Sequence, residues 1–195
     1  MIEVELKAHL RDRAAALAAV EAFASSEGEV DKFDAYWHGP DWRLNRGSRG
    51  FRLRSDRAAE GGAISVVTFK TKRSEGGIEI NREREFDVSD PEAFIEFVQR
   101  LGCEPYYNKR KRGQRFRAGG SEAYPDPATI EIVEVEGLGD FIEIEILLPD
   151  EEPAAVALAQ GEIRGLLARA GIAEDAIESR FYSELLIAAG LVARP

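Results

Sequence analysis

The sequence is poor in the side chains that staple, ligate or anchor. Its one cysteine, Cys103, cannot form a disulfide within the chain, and with only His9 and His38 beside it the usual ligand set of a zinc site is missing. No apolar run approaches the roughly 20 residues that a membrane helix needs. The N-terminus opens on Glu3 and Glu5, where a secretion signal would place a basic region and an apolar stretch. From these absences we expect a zinc-free, cytoplasmic protein that is neither exported nor held at a membrane. Basic residues are in deficit as well. With 26 Lys and Arg against 36 Asp and Glu, the net charge of -10 speaks against nucleic acid or an anionic membrane as partner.

What is present suffices for one folded domain over residues 1–195. Of the 195 residues, 44% are hydrophobic and 32% charged, which fits a chain with its own core and not a disordered one. The charge is segregated. Arg43, Arg46, Arg49, Arg52, Arg54 and Arg57 crowd into 43–57, and Lys109, Arg110, Lys111, Arg112, Arg115 and Arg117 into 109–117. Between Arg117 and Arg164 there are twelve acidic residues and no Lys or Arg. Blocks of both signs in one small domain suggest a site for an anion held partly through cations. No G-x-x-x-x-G-K-[ST] loop is present, so a P-loop nucleotidase is not supported.

The dominant pattern is alternation of apolar and charged residues, which sends successive side chains to opposite faces of a strand. Ile2, Val4 and Leu6 alternate with Glu3, Glu5 and Lys7. Similar stretches follow at 51–54, 67–72, 78–86, 130–135 and 141–146, with weaker ones at 30–38 and 106–117. That makes about eight strands, enough to close an antiparallel barrel. Helices are expected over 11–24, from Pro91 to Leu101, from Pro153 to Gly171 and from Ala173 to Ala189. Loops are expected at 39–50, 58–63, 73–77 and 118–128.

On the first strand Glu3, Glu5 and Lys7 share a face within about 14 Å, at roughly 3.4 Å per residue. Alone, such a face is ordinarily solvated. The i, i+2 arrangement recurs, however, in Arg52 with Arg54, Lys70 with Lys72, Glu83 with Glu85 and Glu143 with Glu145. Turned inward in a closed sheet, these faces would line a lumen suited to a polyanion. Carboxylate oxygens there select Mg²⁺ or Mn²⁺, and Lys and Arg neutralise phosphate.

Taken in order, Glu3-Val4-Glu5-Leu6-Lys7, Phe51-Arg52-Leu53-Arg54, Thr68-Phe69-Lys70, Arg82-Glu83-Arg84-Glu85, Gly137-Leu138-Gly139-Asp140-Phe141-Ile142-Glu143-Ile144-Glu145 and Ser179 to Leu186 resemble the motifs of one family. That family is the CYTH superfamily, the triphosphate tunnel metalloenzymes, which includes class IV adenylyl cyclases, thiamine triphosphatases and inorganic triphosphatases. The resemblance implies an α+β fold, an eight-stranded antiparallel closed β-barrel or tunnel with helices packed outside. It implies a divalent-metal-dependent enzyme, using Mg²⁺ or Mn²⁺, that cleaves a small-molecule triphosphate. A class IV adenylyl cyclase and a non-catalytic polyphosphate-binding module are the alternatives, and a homodimer stays open.

By the same resemblance Glu3, Glu5, Glu143 and Glu145 face the metal, with Glu83 and Glu85 contributing, while Lys7, Arg52, Arg54 and Lys70 hold phosphates. The family's later K-x-R strand falls in Lys109 to Arg115. Lys111 and Arg112 are both candidates there, although they lie on opposite faces and only one can point inward. Many members carry an aspartate, linked with catalysis in the cyclases, where this chain has Val133. Valine at that place favours a hydrolase, against which stands Glu131, on the same face about 7 Å away by strand rise, as a substitute base for a cyclase; Lys7 and Glu131 are the catalytic candidates. Tyr36, Trp37 and Trp42 could stack on a base, but read more simply as packing.

Overall fold

Alternation in the strands sorts the chain into an apolar outer surface and a charged inner one. In the computed structural model, which describes residues 1–40, 50–57, 63–120 and 126–193, the elements are β1 (Ile2–His9), α1 (Arg13–Glu21), β2 (Ala24–His38), β3 (Gly50–Arg57), β4 (Ala63–Glu75), β5 (Ile78–Val88), α2 (Pro91–Arg100), β6 (Glu104–Ala118), β7 (Ala128–Val135), β8 (Gly139–Leu148), α3 (Pro153–Arg169), a 3-10 turn (Glu174–Ala176) and α4 (Tyr182–Ala188). The strands close into an antiparallel barrel in the order β1-β5-β4-β3-β2-β6-β7-β8. This is the α+β tunnel with outer helices that the sequence leads one to expect.

The hydrophobic core lies outside the barrel. Ile2, Val4, Leu6 and Ala8 of β1, Ile130 and Ile132 of β7, and Ile142, Ile144, Ile146 and Leu148 of β8 are buried under Val156, Ala159, Ile163, Leu166 and Leu167 of α3 and Ala16 and Val20 of α1. Each large aliphatic side chain buried in this way contributes about 1.5–3 kcal/mol. Burial of that face commits the opposite face of the same strands, with its Glu and Lys, to the lumen. Side-chain caps fix the helix starts: Asp12 accepts from Ala15 N at 2.9 Å, Asp90 from Ala93 N at 3.0 Å and Glu152 from Ala155 N at 2.7 Å.

Three expectations about elements are corrected. β2 begins at Ala24, so it takes over the end of the expected first helix and all of 24–29. The expected loop at 73–77 shrinks to Gly76 and Gly77, whose φ values of 57° and 81° suit a two-residue hairpin turn. The expected last helix does not run from Ala173. The chain is extended at Ile177, where it makes a β-bridge with Ala8, and Glu178 N–H donates to Lys7 O at 2.9 Å. Only at Tyr182 does α4 start. Arg43, Arg46, Arg49 and Trp42 lie outside the described residues.

Candidate active site

The inner faces of the strands enclose a chamber of about 480 Å³. Its carboxylates are Glu3, Glu5, Glu83, Glu85, Glu131, Glu143 and Glu145, its cations are Lys32, Arg52, Arg54, Lys70, Arg84, Lys111 and Arg115, and Met1, Thr129 and Leu147 complete the lining. The β1–β8 register sets Glu5 opposite Glu145 and Lys7 opposite Glu143, and the β1–β5 register sets Glu3 opposite Asn81.

Most of these charges are spoken for. Lys70 Nζ lies 3.1 Å from Glu3 Oε1 and 3.3 Å from Glu83 Oε2. Lys111 Nζ donates to both Glu143 oxygens at 2.5 Å, and Tyr182 OH donates to Glu143 Oε1 at 2.6 Å. Arg54 makes a two-pronged bond to the buried Asp34, at 2.7 and 3.1 Å. Arg52 donates to Thr68 Oγ1 at 2.9 Å, and that hydroxyl donates on to Glu85 at 2.6 Å. Burial alone would raise the Asp34 and Glu143 pKa values. The cations around Asp34, first Lys109 and Arg54, and Lys111 and Lys109 near Glu143, outweigh it and hold both well below the usual carboxylate range.

Glu5 and Glu145 differ. Among the described residues neither has a hydrogen bond or ion pair, although both face the chamber. Burial, then Glu3 and further carboxylates, push Glu5 up to about 7, and burial with Glu3 and Glu5 pushes Glu145 up to about 8. Two facing carboxylates with no cation of their own form a site that lacks positive charge.

Two expected residues stand elsewhere. Lys7 does not line the chamber. It is buried behind it and paired with Glu79. Arg112 points outward, more than half exposed, toward Asp31, so the register question is settled in favour of Lys111. Glu131 lines the chamber, but its Oε1 takes Lys32 at 2.5 Å and Arg115 at 2.8 Å. Although burial would raise its pKa, Lys32 leads the groups that lower it, which makes it a poor proton acceptor.

Behind the chamber the lumen is filled. Lys109 Nζ donates to Tyr36 OH at 2.9 Å, and Tyr36 stacks on Tyr107 with centroids 4.3 Å apart. The Tyr182 ring enters from α4 with Lys7, Lys109 and Lys111 at 5.5, 4.7 and 4.8 Å from its centroid. It packs with Val133, Val135, Phe141 and Leu185. Val133 is therefore part of an apolar stopper. Trp37 is buried and stacked on Phe51, in keeping with a packing role.

Sequence reasoning missed Lys32, Asp34, Glu79, Asn81 and Tyr182. Lys32 and Asp34 carry an i, i+2 signal in the weak strand at 30–38, and Glu79 and Asn81 stand in phase with Glu83. Tyr182 carries no signal for pointing inward.

The family model for the CYTH domain matches residues 1–182. The chain belongs to the CYTH family. No curated protein sequence matches it. Among solved structures, the PH1819 protein of Pyrococcus horikoshii superposes with a TM-score of 0.77 at 27% identity, covering 95% of this chain and 98% of that one. A presumed adenylate cyclase of Vibrio parahaemolyticus gives 0.74 at 22%, covering 96% and 98%. HpAC1 of Hippeastrum, a presumed adenylyl cyclase described as having a dominant triphosphatase activity, gives 0.62 at 16%, covering 97% and 95%. The last two show a common CYTH fold.

CYTH triphosphate tunnel metalloenzymes use divalent metals. Among the described residues no three acidic side chains already converge on one point. The donor set nevertheless fits a hard divalent cation: Glu5 and Glu145 are opposed, uncommitted and all-oxygen, with Glu3 and Glu143 on either side in the register.

Proposed function

We propose that the chain hydrolyses a small-molecule triphosphate, inorganic or organic, in the chamber with Mg²⁺ or Mn²⁺ held by Glu5 and Glu145. The observation that carries this reading is the uncommitted Glu5–Glu145 pair inside a ring of oriented cations. Arg52, Arg54, Lys70 and Lys111 bind phosphate oxygens, joined by Lys32 and Arg115. Asp34, Thr68 and Glu131 hold several of those side chains in place before substrate arrives, so little ordering is left to be done on binding. A bound divalent cation supplies charge neutralisation and a water of lowered pKa. In the reaction the water oxygen forms a new bond to the attacked phosphorus, and the bridging P–O bond breaks with its electron pair leaving on the departing phosphate. Lys7 stabilises the inner wall through Glu79 and is not assigned a contact with substrate.

A cyclase has no comparable support. It needs a base beside the ribose hydroxyl, but Val133 is walled in by Phe141 and Tyr182, and Glu131 already carries two cations. The test is incubation with tripolyphosphate, thiamine triphosphate and ATP, with Mg²⁺ or Mn²⁺, resolving orthophosphate, pyrophosphate and cyclic AMP. Orthophosphate release without cyclic AMP is expected. Cyclic AMP with pyrophosphate selects the cyclase, and tight binding without turnover selects a polyphosphate-binding module.

A further inference from the structure

Two neutral side chains of the barrel interior each touch a carboxylate that flanks the Glu5–Glu145 pair. Asn81 is fully buried, faces Glu3 across the β1–β5 ladder and donates from Nδ2 to Glu3 Oε1 at 2.9 Å. Tyr182 donates its hydroxyl to Glu143 Oε1 at 2.6 Å. Each of these carboxylates also takes a lysine, Lys70 on Glu3 and Lys111 on Glu143. The register places the Glu5–Glu145 pair between them, with Glu3 one step toward the mouth and Glu143 one step inward.

A lysine ammonium turns freely about its own axis and does not fix the plane of the carboxylate it touches. A directional neutral donor does so without cancelling the charge, which leaves that charge available to a cation. Stability alone does not explain Asn81. Its Oδ1 is buried without a hydrogen-bond partner, an arrangement that costs about 1–3 kcal/mol and that an apolar residue of similar size avoids. We propose that Asn81 and Tyr182 are positioning residues of the divalent-cation site, holding Glu3 and Glu143 in one orientation on either side of Glu5 and Glu145. The assignment rests on reading Glu5 and Glu145 as the metal-binding pair. It also ties the site to the C-terminal segment, because Tyr182 is the first residue of α4.

The experiment is titration of the metal-free protein with Mn²⁺ alone, followed by electron paramagnetic resonance of the free ion and by calorimetry, well below the melting temperature. Asn81→Leu removes the amide at nearly constant size. Tyr182→Phe removes only the hydroxyl and keeps the ring against Phe141 and Leu185. Each is expected to weaken Mn²⁺ binding by about 10- to 100-fold. The melting temperature of metal-free Asn81→Leu should be unchanged or raised, and Asn81→Gln should recover part of the lost affinity. Native-like affinity in Asn81→Leu and Tyr182→Phe, with Glu5→Gln impaired, overturns the positioning role. Loss in only one of the two overturns the paired assignment. A fall in affinity that tracks a fall in melting temperature, with no recovery in Asn81→Gln, assigns both residues to the fold and overturns it as well. Native protein that binds no Mn²⁺ overturns the metal reading itself.

Discussion

Glu5 and Glu145 face one another without a cation, so ionising them costs the metal-free protein free energy. Their pKa values of about 7 and about 8 lie above the ordinary 4.5. Between those limits the folded chain holds protons that the unfolded chain has lost, and stability must fall as pH rises. The stabilising contribution is full below about pH 4.5 and is lost as pH rises through 7 to 8. Melting curves in chelator should therefore drop between pH 5 and about 8.5, and Mn²⁺ should cancel much of that drop. A flat profile in chelator contradicts the assignment. Glu5→Gln and Glu145→Gln should flatten the profile while lowering turnover by on the order of 100-fold or more. The basic residues divide as sharply. Arg54→Ala and Lys70→Ala should weaken triphosphate binding about 10-fold or more, the usual worth of a charge-assisted hydrogen bond. Arg112→Ala, on the outer face, should leave the affinity within about twofold. Equal losses for all three, measured by calorimetry, would mean that the attraction is diffuse.

At the scale of elements, β7 and α4 show why a position in phase with the site need not belong to it. Val133 shares a face with Glu131, yet it meets Phe141, Tyr182 and Leu185. Val133→Asp should cost at least about 2 kcal/mol by burying a carboxyl group in apolar surroundings, lowering the melting temperature without producing cyclic AMP. Both β1 and β8 were legible because their outer faces are apolar apart from Asp140 and their inner faces carry Glu3, Glu5 and Lys7 on β1 and Glu143 and Glu145 on β8. β2 was not, because its first half carries Ser25, Ser26, Glu27 and Gly28 and pairs with β6 around a register shift, which leaves no clean alternation to read. The last segment misled for the opposite reason. Ile177, Phe181 and Leu185 have helical spacing, but the bridge from Ile177 to Ala8 and the bond from Glu178 to Lys7 hold the chain extended until Tyr182. Motif residues such as Arg52, Lys70 and Glu143 were visible as repeated charge, whereas Asn81, although in phase with Glu79 and Glu83, adds no charge to the repeat and so went unread.

On the scale of the whole molecule, a chain of net charge -10 sets seven cations beside seven carboxylates around its chamber, so the acidic excess lies elsewhere and the cations stand where an anion can reach them. Close cations, with little water between them and the ligand, outweigh distant acidic groups screened beyond about 10 Å. The chamber opens past Met1, Arg84 and Leu147, while Tyr182 and the Lys7–Glu79 pair occupy the inner end. Among the described residues this leaves one doorway, and under the proposed function the fragments of one turnover retreat through it before the next molecule advances. On that proposal a long polyphosphate is not threaded through and shortened from within. It can present only a terminus, with the rest of the polymer trailing in solvent. Orthophosphate and pyrophosphate added to the assay should accordingly inhibit in strict competition with the triphosphate, and purely non-competitive inhibition would point to a second exit. On that proposal a barrel stoppered in this way is a cul-de-sac, in which whatever enters has to back out.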